Sequence, residues 1–134
     1  MTRHSDNRTL RWLLTCLVPI LLVSVSAEQA NAPAPHVVHV TAERFMFTPA
    51  EVTITPGTVI EFRLTSEDTM HGFRILGQGV DIAIPKRGRG EATVRFTPPE
   101  PGSYVFECSR MCGAGHSFMR GTLRVKAATR EERR

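Results

Sequence analysis

A chain of 134 residues has room for one domain and little besides. Its formal net charge of +4 owes much to the front end: without the first 27 residues, 14 basic residues stand against 12 acidic ones. That balance is too even for the broad basic face that nucleic-acid binding needs. The sequence also lacks a nucleotide-binding glycine loop, an internal repeat, a low-complexity tract and any motif joining its serines, histidines and aspartates into a hydrolytic nucleophile.

Taken in order, residues 1–11 carry Arg3, Arg8 and Arg11, and an apolar run from Trp12 to Val25 follows. Val25-Ser26-Ala27 then puts small residues where a signal peptidase cuts. The run is shorter than the roughly 20 apolar residues of a membrane span, and Pro19 sits in its middle. Residues 1–27 therefore read as a signal peptide or a single hydrophobic anchor helix, with membrane anchoring through residues 10–27. In both cases the arginines stay inside and the domain is exported, to the periplasm or the outer face of the cytoplasmic membrane. Cys16 follows Thr15 at the start of the run, a poor place for lipid attachment. Residues 28–35, EQANAPAP, form a Pro/Ala linker without periodicity.

From residue 36 to 126 short β-branched or aromatic runs alternate with turn residues, as in an all-β domain. The expected strands are His36–Thr41, Glu51–Thr55, Val59–Thr65, Gly72–Leu76, Val80–Ile84, Ala92–Thr97, Ser103–Cys108 and Gly121–Lys126. Within the third, Ile60, Phe62 and Leu64 share one face while Glu61 and Arg63 take the other, the pattern of a half-buried strand. About eight strands at this spacing suggest a β-sandwich. Phe45-Met46-Phe47 reads as core packing, with Met46 and Phe47 as possible neighbours of a site, and Lys86-Arg87-Gly88-Arg89 reads as a solvated hairpin tip. His36 and His39 read as ordinary strand residues, and residues 127–134 as a charged, frayed tail.

The densest chemistry lies in Cys108-Ser-Arg-Met-Cys112-Gly-Ala-Gly-His116-Ser-Phe-Met119, which gathers two thiols, an imidazole and a thioether within twelve residues. Soft donors of this kind suit copper better than magnesium or calcium. An exported thiol pair usually becomes a disulfide, but a bridge closing three intervening residues gains little chain entropy, so a metal loop is the better reading. The spacing would also align the four side chains on a helix. Gly113 and Gly115 weaken that alternative, and a turn loop between two strands is more natural. Such a loop needs a partner from elsewhere. His71, in the polar turn Ser66-Glu67-Asp68-Thr69-Met70-His71-Gly72, is the candidate, because Gly72 permits close backbone approach and a sandwich can bring this turn to the same end.

The stretch from Leu64 through Phe73, the Pro101-Gly102-Ser103-Tyr104 segment and the run from Cys108 to Gly121 together resemble the copper-binding domain of cytochrome c oxidase subunit II. The resemblance covers roughly His36 to Lys126 and is closer to short, single-span subunits. It implies a cupredoxin-like Greek-key β-sandwich holding a dinuclear CuA centre of two copper ions. By that resemblance Cys108 and Cys112 bridge the coppers, His71 and His116 bind one each, Met119 is a weak axial ligand, and Arg110 contributes its backbone carbonyl. A mononuclear blue-copper site would leave Cys112 idle, and a structural zinc site would leave Met119 idle.

The implied function is electron transfer into a haem–copper terminal oxidase, from a cytochrome c-type or cupredoxin donor to the haem–copper catalytic subunit. The alternative is a free exported copper protein, either a soluble carrier or a delivery and storage module. Two departures from the family stand out. Arg110 occupies a position where longer subunits carry a glutamate that helps hold magnesium, so no such magnesium site is expected. The aromatic docking patch of those subunits has no counterpart either, since the one tryptophan is Trp12. Arg110, Arg120 and Arg124 instead suggest a basic rim, suited to an apolar or acidic donor.

Overall fold

The computed structural model describes residues 34–127. The expected leader or anchor, the linker up to residue 33 and the tail beyond Ala127 lie outside the described residues. Among the described residues there are nine strands: β1 (His36–Glu43), β2 (Met46–Thr48), β3 (Glu51–Ile54), β4 (Ile60–Ser66), β5 (His71–Ile75), β6 (Val80–Ile84), β7 (Ala92–Phe96), β8 (Gly102–Glu107) and β9 (Arg120–Val125). One 3-10 turn, His116–Phe118, accompanies them. No helix among these residues is long and apolar enough to cross a membrane.

The strands form two sheets, ordered β2-β1-β4-β7 and β3-β9-β8-β5-β6. β1 runs parallel to β4 and β3 parallel to β9, and the other neighbours are antiparallel. Parallel neighbours cannot be joined by a tight hairpin. Between β1 and β4 the chain adds β2 beside β1, gives β3 to the opposite sheet and then returns. The result is the all-β sandwich that the alternating pattern requires.

Alternation also explains the core. Val40 and Ala42 of β1, Ile60, Phe62 and Leu64 of β4, Phe73 and Ile75 of β5, Phe106 of β8 and Leu123 of β9 are all buried. Four rings, Phe47, Phe62, Phe73 and Phe106, meet between the sheets with centroids 5.0–6.2 Å apart. Truncating such a ring to alanine costs about 3–5 kcal/mol, so this cluster carries much of the frame on which the ligand-bearing strands rest.

The structure corrects the sequence reading in three places. β2 was not expected, because three residues between a turn and Pro49 are too few to display a period. The Lys86–Arg89 segment is exposed but is no hairpin tip, since β6 and β7 belong to different sheets and the segment crosses between them. Glu61 points away from the core as its register demands, yet its residue is only 5% accessible. Arg95 Nε and Arg63 Nε reach it at 2.8 and 3.0 Å and cover it with their apolar stems.

Hydrogen bonds from Arg95 and then Arg63 hold the Glu61 carboxyl below its ordinary value, more than offsetting partial burial. A depressed carboxylate stabilises the fold above its unfolded pKa, and that contribution is lost as pH falls through the folded pKa. Glu61→Gln is therefore expected to melt below the wild type at neutral pH, with the gap closing on acidification. A gap that stays constant from about pH 7 to about pH 3 would rule out a contribution from this carboxylate.

Candidate metal centre

The register of β8 with β9 builds the site. Their ladder ends at Glu107 opposite Arg120, and one further bond, from Cys108 N–H to the Met119 carbonyl at 3.0 Å, closes the loop between them. Inside the loop the amides of His116, Phe118 and Met119 donate to the carbonyls of Gly113, Gly115 and His116. The helical alternative survives only as this single 3-10 turn. Phe45, in the turn before β2, packs against the loop: an added Cβ would lie 2.2 Å from its ring at Gly115 and 3.0 Å at Gly113. The ring bordering the loop is therefore Phe45. Phe47 is in the aromatic core and Met46 is exposed, because successive strand residues face opposite ways.

β5 lies beside β8 and overhangs its end, since Glu107 pairs with Arg74 and His71 lies beyond that pair. His71 is the first residue of β5, fully buried, rather than a member of the preceding turn. Gly72 follows, and a Cβ there would fall 2.1 Å from Ser109 Oγ and 2.8 Å from the amide nitrogens of Ser109 and Arg110. Its own N–H is 3.5 Å from Cys108 Sγ. The missing side chain lets the ligand loop rest on the strand that carries His71.

Six donors converge. Cys108 Sγ and Cys112 Sγ are 3.7 Å apart, both buried and free, and well beyond the roughly 2.05 Å of a disulfide. His71 Nδ1 lies 3.9 Å from Cys108 Sγ and His116 Nδ1 lies 3.7 Å from Cys112 Sγ. Met119 Sδ is 3.8 Å from Cys112 Sγ, and the Arg110 carbonyl oxygen is 3.1 Å from Cys108 Sγ. One donor atom each from His71, Cys108 and Cys112 falls within a mutual 4.8 Å. Two thiols, two imidazoles, a thioether and a carbonyl form a soft set that fits copper. Burial, helped by the neighbouring Cys108, pushes the Cys112 thiol up to about 11, so a metal binding there displaces a proton.

The orientation of His71 has a cause. Its Nε2 is 2.6 Å from Asp68 Oδ1, which keeps the ring proton on Nε2 and aims the Nδ1 lone pair at the sulfurs. Asp68 accepts further bonds from Thr69 N–H at 2.7 Å and Arg44 N–H at 3.1 Å. Ser66 braces the turn by donating to the Thr69 carbonyl at 2.6 Å. Burial pushes the Asp68 carboxyl up, but the bonds from His71, Thr69 and Arg44 outweigh it and hold the group below its ordinary value. Asp68 was not singled out from the sequence. The available signal was an acid three residues before a histidine in a turn of Ser, Asp and Thr.

The basic rim is not there as expected, because each of its arginines has a carboxylate. Arg110 meets Asp81 at 3.1 Å, Arg120 meets Glu107 at 3.3 Å and Arg124 meets Glu51 at 2.7 Å. Arg74 also pairs with Glu107. Such exposed pairs add little stability; they offset most of the rim's charge, leaving one positive charge in excess because Glu107 serves both Arg74 and Arg120.

The cupredoxin-like domain family matches residues 13–125. Over 97 residues the chain is 37% identical to cytochrome c oxidase subunit 2 of Thermus thermophilus, covering 72% of this chain and 70% of that protein. The chain belongs to the cupredoxin-like family, in its oxidase subunit 2 line. A second Thermus thermophilus subunit 2 matches this cupredoxin at 37% over 97 residues, and the match spans only 56% of that protein. The periplasmic domain of subunit II of cytochrome oxidase from Bradyrhizobium japonicum shares the fold, with a TM-score of 0.63 and 21% identity over 75% of this chain and 89% of that one.

In this cupredoxin Gly72→Ala is expected to lift the loop from β5 without removing any donor. Supporting contacts of a metal site are worth 10–100-fold in affinity, so the variant should lose copper to a competing chelator at least about tenfold more readily. Retention equal to wild type would show that the close approach at Gly72 does not support the centre.

Proposed function

We propose that the chain is an electron-transfer module of a haem–copper terminal oxidase, built to hold two copper ions in a dinuclear centre. Cys108 and Cys112 would supply the thiolates, His71 and His116 the imidazole nitrogens, Met119 a thioether and Arg110 its backbone carbonyl. The observation that carries this reading is the pair of buried, unbonded sulfurs 3.7 Å apart, each faced by its own imidazole Nδ1. A mononuclear site has no use for the second thiol, and a tetrahedral zinc site has no use for the thioether.

Copper, when bound, supplies one-electron exchange. The protein's part is to keep the ligand positions unchanged whichever charge the centre carries, so that little structural work accompanies each transfer. Cys108 is fixed by the bond of its own amide to Met119 and by the Gly72 amide at its sulfur. His71 is fixed by Asp68. Met119 is fully buried and closes the inner side against water.

The two histidines differ: His71 is buried, whereas His116 is half-buried. His116 and Cys108 border a shallow cleft with Arg74, Glu107, Ser117 and Arg120. His116 is the natural side for electron entry, and Met111 and Phe118 of the same loop are 80% and 82% exposed. With the neighbouring arginines paired, an apolar contact suits a small cytochrome c-type or cupredoxin donor better than a charged one. The catalytic haem–copper subunit is the acceptor, and the domain lies on the periplasmic or outer side of the membrane.

The test is copper loading of the full chain, followed by metal quantitation and optical and spin-resonance spectroscopy. Two coppers per chain, a purple colour and one electron shared between the ions are expected, and Cys112→Ser should abolish all three. One copper per chain, or zinc alone, would overturn the reading.

A further inference from the structure

We propose that Arg44 is a positioning residue of the copper centre, tying its two sides together and keeping its reduction potential high. The inference rests on the copper reading above. Arg44 lies in the turn between β1 and β2, 24 residues before Asp68 and 68 before Cys112. Its Nε donates to the Cys112 carbonyl at 2.9 Å and lies 3.7 Å from Asp68 Oδ2. Its backbone N–H donates to the same Oδ2 at 3.1 Å, while the other oxygen, Oδ1, takes the His71 Nε2 proton at 2.6 Å. A single residue thus joins three segments distant in sequence: the first turn of the domain, the turn that orients His71, and the ligand loop at Cys112.

Two effects follow, of the same sign. A carboxylate bonded to the far nitrogen of a ligating imidazole makes that imidazole a stronger donor, which favours the oxidised metal. A guanidinium beside the carboxylate draws on its charge and weakens that push. The positive charge itself, placed next to the centre, also favours the form that has gained an electron. Pinning the Cys112 carbonyl has a mechanical role besides, because the chain bends at Gly113, whose φ of +138° few other residues adopt. Phe45, the next residue after Arg44, packs on Gly113 and Gly115 and covers the same stretch. The Arg44 side chain is 51% exposed and Asp68 25%, so the pair adds little to folding, and its consequence lies in the groups it touches.

The experiment compares wild type, Arg44→Met and Arg44→Lys as copper-loaded full chains, by redox titration, chelator competition and thermal melting. Arg44→Met is expected to lower the reduction potential and to lose copper about tenfold faster. Arg44→Lys keeps the charge without the planar fork; it should hold the potential nearer wild type while still losing copper about tenfold faster. Wild-type potential and copper retention in a folded Arg44→Met would overturn the inference alone. Should Arg44→Met fail to fold, Arg44→Lys decides, and retention equal to wild type overturns the inference. A wild-type chain that takes up no copper overturns the functional reading and this inference together.

Discussion

Everything at the centre depends on the clamp at the end of the β8–β9 ladder. The bond from Cys108 N–H to the Met119 carbonyl makes the two ends of the ligand loop neighbours. It therefore places the first and last side-chain donors of the loop on one rigid edge. Between them, the 3-10 turn at His116–Phe118 folds the chain at His116, and the Arg44 bond to the Cys112 carbonyl holds Cys112 in place. β5 completes the set because it is the other neighbour of β8 in the same sheet. Three strand ends from one sheet thus define the donor positions, and the aromatic cluster beneath holds that sheet against its partner.

Around this frame the polar groups are arranged to satisfy one another. No buried side-chain nitrogen or oxygen among the described residues lacks a hydrogen-bond partner. Asp68 shows the economy of the arrangement: one carboxylate ends a turn, receives a backbone amide from the distant β1–β2 turn and sets the tautomer of His71. The outer arginines are tied to carboxylates on neighbouring strands, so their charges act locally and leave the loop's exposed apolar side chains as its most distinctive surface.

Much of this was legible in the sequence, and what was not has physical reasons. Strands such as Val80–Ile84 announce themselves because alternation agrees with the glycine before and the proline after. β2 stayed hidden, since three residues carry no period. The ligand loop was readable because soft donors at short spacing in a glycine-rich stretch have few other uses. His71 could be proposed because a glycine follows it, but its full burial depends on where β5 starts. Asp68 was visible without a role, and Arg44 gave no signal, because its partners lie 24 and 68 residues away. The arginines misled for the same reason: composition counts charges, whereas pairing across strands decides what a surface presents.

The distance between the two sulfurs also bears on how such a protein is made. To form a disulfide the atoms would have to close by about 1.6 Å and satisfy a strict dihedral angle. The clamped loop resists that movement, and burial keeps the Cys112 thiol protonated and slow to react with oxidants. The protein emerging from synthesis is therefore a reduced vessel with a limited shelf life. Oxidation to a sulfenic acid or a disulfide can be undone by a reductant, but a sulfinic or sulfonic acid is lost for good, so metal has to arrive while the sulfurs are still intact. Maturation becomes a race between filling and spoiling, and the rigid loop slows the second runner.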